Sequence, residues 1–269
     1  MAHNEKASIS NAISLIWNQK KLLFNTVKAD VRNQYAGTAL GMIWVVLGPL
    51  TLLTLYSVIY ALIFRVRVPN YTVEEYILNV FSGLVPFLAF SQALANSAGV
   101  MRRDQKLFFS SYPNLFIPIK TVLVSYVVLF VGVILVIIGD FAVSTPSWTL
   151  FLLPVVAFFQ ILFSIGLGMF VALFSLVLKD IEVFVQYVTI ALLVITPIAY
   201  TPEMIPSGLK TLLYGNPLFY YVYASQHLIL LNSLPPMEIT IIGITLALVM
   251  FLGGLWFYNK AHRILNDLV

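Results

Sequence analysis

Residues 121–139 read TVLVSYVVLFVGVILVIIG, a run without a formal charge. A helix needs about 20 mostly apolar residues to cross a hydrocarbon core, so this stretch is long enough to span a bilayer. Working outward, five further runs have the same character: Leu40–Phe64, Tyr76–Met101, Phe141–Leu178, Val183–Thr201 and Ile239–Asn259. The expected fold is an all-α integral membrane protein with six transmembrane helices. The 15 Lys and Arg and the 11 Asp and Glu all fall outside these runs. Ion-driven carriers and proton pumps keep an ionisable group at membrane depth. None is expected here, which argues against ion coupling.

Composition agrees: 60% of residues are apolar, 10% are charged and mean hydropathy is +0.94, values foreign to soluble domains. The chain has no Cys, which excludes disulfides, thiolate metal sites and cysteine nucleophiles. His3, His227 and His262 are too scattered to form a metal site. No short apolar core ending in a cleavage site occurs in the first 30 residues, so no signal peptide is expected.

Distribution of charge sets the expected orientation. Counted by alternate connections, twelve Lys and Arg fall on one side and three on the other. Positive charge favours the inner face, which puts both termini in the cytoplasm and requires an even number of spans.

The segment before the first run is patterned as a helix. Ile13, Ile16, Leu23, Val27 and Val31 recur at three- and four-residue spacing, while Asn18, Lys21, Asn25, Lys28 and Arg32 form the opposite stripe. Such a basic amphipathic helix suits the membrane surface, either as a simple anchor or as a contact for an acidic head group or a cytosolic partner. The expected organisation is a cytoplasmic N-terminus with this helix (1–39), a six-helix transmembrane domain (40–259) and a cytoplasmic tail (260–269).

Two connections stand out. Residues 101–120 read MRRDQKLFFSSYPNLFIPIK, with Leu107, Phe108, Phe109, Leu115 and Phe116 rimmed by charge as on a docking surface or at the lipid interface. Residues 202–237 are apolar but broken by Pro202, Pro206, Gly208, Gly215, Asn216 and Pro217 into pieces too short to span. Two short re-entrant helices joined near Gly215-Asn216-Pro217 fit that pattern, because irregular backbone at membrane depth must be covered by protein or line a cavity.

Ser164, Gly168 and Ala172 form a small-residue stripe for close helix packing, and Gly253-Gly254 fits the same role in the last run. Pro49, Pro86, Pro154 and Pro197 are candidate kinks. Trp17, Trp44, Trp148 and Trp256 suit an aromatic belt. Aromatic rings within the spans pair an apolar face with a polar rim, so they either pack in the core or line a path for sugars.

No GxxxxGK[ST] phosphate loop, acidic glycosyltransferase pair or Ser/His/Asp set is evident. The chain reads as a transporter subunit without catalysis or cofactor of its own, driven by a separate subunit that reaches it at 101–120.

The stretch RNQYAGTALGMIWVVLGP (Arg32–Pro49) resembles the opening signature of ABC-2 type polysaccharide-export permeases, the membrane subunits that export O-antigen, teichoic acid and capsule. Leu178-Lys179-Asp180-Ile181 is similar to the family's aromatic-Arg-Asp-Ile turn, with Leu and Lys as departures. Thr196-Pro197-Ile198-Ala199-Tyr200, Ile205-Pro206 and Asn216-Pro217-Leu218 match in order, and the resemblance runs from about residue 15 to 265.

The resemblance implies a homodimer enclosing a channel, with each protomer paired with an ATPase that carries ATP and Mg. It implies an undecaprenyl-diphosphate-linked glycan as substrate and the bacterial inner membrane as location. Arg102, Arg103, Asp104, Lys106, Lys179 and Asp180 are then expected in ATPase coupling, and Lys28, Arg32 and Tyr35 near the lipid diphosphate. Tyr56, Tyr60, Phe87, Tyr126, Phe184 and Tyr187 are expected along the channel, and Pro197, Tyr200, Asn216 and Pro217 at the gate. A drug or small-lipid permease of the same family, and a membrane-embedded scaffold or enzyme, remain as alternatives.

Overall fold

A computed structural model describes residues 9–59, 71–108, 110, 112–143 and 145–268. Among them no strand occurs. The helices are α1 (Ile9–Asn18), α2 (Lys20–Gln34), α3 (Trp44–Ser57), α4 (Val73–Ser97), α5 (Val100–Arg103), α6 (Gln105–Phe108), α7 (Phe116–Ser125) and α8 (Val127–Val143). They continue with α9 (Leu153–Val177), α10 (Ile181–Ile195), α11 (Lys210–Gly215), α12 (Pro217–Ile229) and α13 (Met237–Leu268). Four segments are long and apolar enough to cross a membrane: Val73–Ser97, Phe116–Val143, Trp148–Val177 and Met237–Ala261. Two shorter apolar helices, Gly41–Tyr56 and Ile181–Ile195, coincide with the remaining runs.

α4 is the centre of the bundle. Of its apolar stretch 72% is buried, against 33%, 33% and 28% for the other three long segments. Its start is fixed locally by a capping box. Thr72 Oγ1 accepts from the Glu75 amide at 3.2 Å, and the Thr72 amide donates to Glu75 Oε2 at 2.8 Å. These bonds satisfy two backbone donors, and Glu74 and Glu75 sit at the positive end of the helix dipole. At the other end Gly99, with φ of 77°, turns the chain into α5.

α9 packs on α13 through backbone rather than side chain. A Cβ at Gly166 would overlap the Met250 carbonyl, and one at Gly254 would lie 2.6 Å from the Gly166 oxygen. Gly254 therefore does the packing expected of the Gly253-Gly254 pair. Ser164, Gly168 and Ala172 turn to the interior, where a Cβ at Gly168 would press on Ser97 Oγ at 2.8 Å.

Three expectations change. The run Phe141–Leu178 is not one helix: α8 ends at Val143, Pro146 interrupts the chain, and a 3₁₀ turn over Trp148–Leu152 leads into α9. Pro154 accordingly sits in the first turn of α9, where it costs no hydrogen bond, and kinks nothing. Long apolar segments are also not wholly free of charge, because Lys120 and Asp140 lie within Phe116–Val143 and are buried. They stand close to its two ends, roughly 30 Å apart along a helix, which is the thickness of a hydrocarbon core. The charge-free zone is the middle of the segment. All four Trp side chains are exposed.

Gly166→Val should separate α9 from α13, costing about 3 kcal/mol and lowering the thermal midpoint of the detergent-solubilised protein. Gly253→Ala should leave the midpoint nearly unchanged, since its Cβ would meet only the Phe170 ring at 3.8 Å.

Candidate functional site

The basic end of the bundle is organised by one ammonium. α2 presents Asp30, the only carboxylate among residues 9–39, and α7 starts at Phe116 so that Lys120 falls one turn in. Lys120 Nζ lies 2.8 Å from Asp30 Oδ2 and 2.7 Å from Asp104 Oδ2. The Lys120 side chain is 6% exposed, and a cation that buried requires both partners to stay charged at tolerable cost. Through it α2, the 101–115 connection and the Phe116–Val143 segment are held together. Tyr258 Oη donates to the Asn114 carbonyl at 2.8 Å and adds α13.

Arg102 makes a second inward clamp. It donates to the Glu182 carboxylate on α10 and to the Ser175 carbonyl at the end of α9. Arg102 and Asp104, expected on a docking face, are thus turned toward their own protein. Arg103, Lys106, Lys179 and Asp180 remain exposed, and Arg103 donates to the Asn96 carbonyl at 3.2 Å. The apolar patch also changes: Leu115 and Phe116 are core residues and Leu107 is half-buried. Phe109 and the Phe108 side chain lie outside the described residues.

Lys28 and Arg32 are one turn apart on an exposed face of α2. Tyr35 follows at the end of the helix, half-buried in a groove of about 550 Å³ between α3 and α4 that also exposes Trp44, Pro49, Ser91 and Gln92. Desolvation raises the Tyr35 phenol above its ordinary pKa, so it stays a neutral donor at physiological pH. The structure therefore groups these three at one corner.

It does not group the aromatics expected along a channel. Phe87 and Tyr126 are buried inside the bundle, and the Tyr126 hydroxyl lies 2.6 Å from Ser164 Oγ. A ring enclosed in the core of the chain presents no surface to a channel, so both are corrected to packing residues. Tyr56 is half-buried, whereas Phe184 and Tyr187 stand out from α10, 62% and 70% exposed. Tyr60 lies outside the described residues.

At the opposite end the gate candidates do meet. Asn216 caps α12, its Oδ1 accepting from the Leu218 amide at 2.9 Å, while Pro217 takes the first helical position. Asn216 Nδ2 donates to Thr196 Oγ1 at 2.8 Å, next to Pro197. Gln226, absent from the expected set, donates to the Pro197 carbonyl at 3.1 Å. Gly83 makes room for it, because a Cβ there would lie 2.8 Å from Gln226 Nε2. Tyr76 Oη donates to the Ala199 carbonyl at 2.9 Å, and Tyr200 Oη donates to the Ile195 carbonyl at 2.7 Å. A buried Gln in an apolar helix was the available signal for Gln226. For Asp30 it was a lone acid on a basic helix.

Lys120→Met should destabilise the protein by about 3 kcal/mol, since two carboxylates lose their shared cation. Asp30→Asn alone should cost less, because Asp104 remains. Arg102→Glu should lower the thermal midpoint, and adding Glu182→Arg should restore part of it, with a coupling of about 1 kcal/mol in a double-mutant cycle.

Two relatives span nearly the full molecule. The chain is 26% identical over 242 residues to an O-antigen export system permease protein RfbA of Klebsiella pneumoniae, covering 89% of this chain and 91% of that one. It is 24% identical over 228 residues to the protein of the same name from Myxococcus xanthus, covering 83% and 85%. Residues 22–230 match the family model described as ABC-2 type transporter, and the chain belongs to that family.

Proposed function

We propose that this chain is the permease subunit of an ATP-driven exporter that moves an undecaprenyl-diphosphate-linked polysaccharide, of O-antigen, teichoic acid or capsule type, across the bacterial inner membrane. The observation that carries the reading is similarity to O-antigen export permeases over 83% to 89% of the chain. Two exposed cations on α2, Lys28 and Arg32, are consistent with it, because a lipid diphosphate needs complementary charge, and Tyr35 one turn on lines a groove.

In this reading the two shorter apolar helices complete six spans, both termini are cytoplasmic, and α11 and α12 form a re-entrant outer gate. Two copies enclose the channel, because six helices cannot surround a polymer. The exposed Phe184 and Tyr187 supply aromatic faces where copies meet. ATP and Mg belong to a separate ATPase, which docks against exposed Arg103, Lys106, Lys179 and Asp180, while Arg102 and Asp104 carry its movement inward to α10 and α7.

Deleting the gene should trap lipid-linked glycan on the cytoplasmic side. Normal surface polymer in a strain without a redundant exporter would refute the export reading. Lys106→Glu with Lys179→Glu should cut co-purification of the ATPase about tenfold while leaving the thermal midpoint nearly unchanged, since both side chains are exposed.

A further inference from the structure

A second groove, separate from the Tyr35 corner, opens between α2 and the α7–α8 segment. Its volume is about 760 Å³, and it is walled by Phe24 and Val27 from α2 and by Leu123, Val127 and Phe130 from α7–α8. Phe24 is 68% exposed and Phe130 54%, so the apolar walls face outward from the bundle. Lys20 and Lys21, both exposed, also line it, and their end is taken as its mouth.

The position of the groove along the segment fixes what kind of molecule it suits. Lys120 sits at the edge of the charge-free zone, and Leu123 lies about one turn further in. From Leu123 to Phe130 the wall descends roughly 10 Å into the apolar zone. An occupant must therefore be apolar over that depth and polar at the mouth.

Charge decides which polar group. The first turn of α2 contains no acid, so the two lysines occupy the positive end of the helix dipole, where cations are disfavoured. Asp30 is committed to Lys120. Among the described residues no carboxylate forms an ion pair with Lys20 or Lys21. Lys20 instead lies over the exposed Trp17 ring, 4.0 Å from its centroid. An anion at the mouth would answer both the dipole and the lysines, and Trp17 is placed where rings settle at head-group level. A second copy of this chain is a poor occupant, since a two-fold contact on this groove would set one lysine pair against its symmetry mate.

We infer that this groove is a binding site for an anionic phospholipid of the surrounding leaflet, with the phosphate at Lys20 and Lys21 and an acyl chain along Phe24, Leu123, Val127 and Phe130. The site fastens α2 to α7–α8 on the outer side, as Lys120 does on the inner side. It is independent of the exported substrate, and it holds for a membrane-embedded chain of any transport function.

The test is lipid retention by the purified full-length protein. The protein is delipidated and titrated with phosphatidylglycerol or phosphatidylethanolamine, and bound lipid is counted by native mass spectrometry. The wild type should bind phosphatidylglycerol more tightly than phosphatidylethanolamine. Lys20→Gln with Lys21→Gln should weaken phosphatidylglycerol roughly 30-fold, the change that about 2 kcal/mol from two interfacial cations represents. Val127→Trp, which fills the groove but keeps both lysines, should weaken it as well, whereas Lys106→Gln should not. Thermal midpoints without added lipid identify variants that are still folded. If V127W fails to fold, Leu123→Phe replaces it. Equal affinity for the two lipids, or undiminished phosphatidylglycerol binding in the double lysine variant, would overturn the assignment. So would disulfide cross-linking of two F24C copies, which in this cysteine-free chain would show that a second protomer covers the groove.

Discussion

A hydrocarbon solvent offers no hydrogen-bond partner, so every polar group at membrane depth must find one inside the protein. That constraint shapes the whole bundle. Gln160 on α9 donates to the Pro86 carbonyl at 2.8 Å, and Tyr126 meets Ser164. Buried Ser97, Thr121, Ser125 and Thr189 each donate to a carbonyl three or four residues earlier in their own helices. With side chains occupied in this way, helices approach through glycine, and the Gly166–Gly254 contact is the result. Formal charges are pushed to the ends, where Lys120 finds two carboxylates and Arg102 finds Glu182.

How much of this was legible in the sequence follows from the same constraint. Apolar runs announce themselves because a bilayer tolerates little else, and each of the six contains a helix, although Phe141–Leu178 also holds the end of α8 and a break before α9. The segment before the first run is helical, as its spacing predicts, but it breaks at Gln19 into α1 and α2, and Ile13 of the expected apolar stripe is exposed. Lys120 and Asp140 were placed outside the spans because a charge ends an apolar run in one dimension. In three dimensions a helix continues past a charge that has partners or sits near the interface. The break between α8 and α9 stayed hidden for the converse reason, since Thr145, Pro146 and Ser147 carry no formal charge to end the run.

Site residues divide along a similar line. Asn216-Pro217 could be read directly, because capping and a fixed proline φ are local chemistry. Gln226 could not, because its importance lies in the carbonyl of Pro197, 29 positions away. Arg102 and Arg103 are adjacent in sequence yet face opposite ways, one clamped to Glu182 and the other exposed. Neighbours on a helix point about 100° apart, so adjacent residues can meet different surroundings, as these two do. The aromatics failed for a different reason: a ring that packs and a ring that lines a path have the same composition, and only burial separates Tyr126 from Tyr187.

α4 connects the two ends that these side chains define. Near its start Tyr76 holds the Ala199 carbonyl, and one turn on, the Asn79 carbonyl and Gly83 receive Gln226. Near its other end the Asn96 carbonyl accepts from Arg103, and the Gly99 amide just beyond it donates to Ser175 Oγ at 3.0 Å. α4 is 25 residues long with most of its apolar stretch buried, so a shift at one end is resisted along its length, although Pro86 removes one backbone bond midway. A displacement of α5 relative to α9 must then either break the Ser175 and Arg103 contacts or carry α4 with it. If α4 moves, the Gln226 and Tyr76 contacts at the far end must shift as well. Six apolar helices alone would slide past one another at little cost. The few polar contacts at each end of α4 fix its register against α5, α9 and α12.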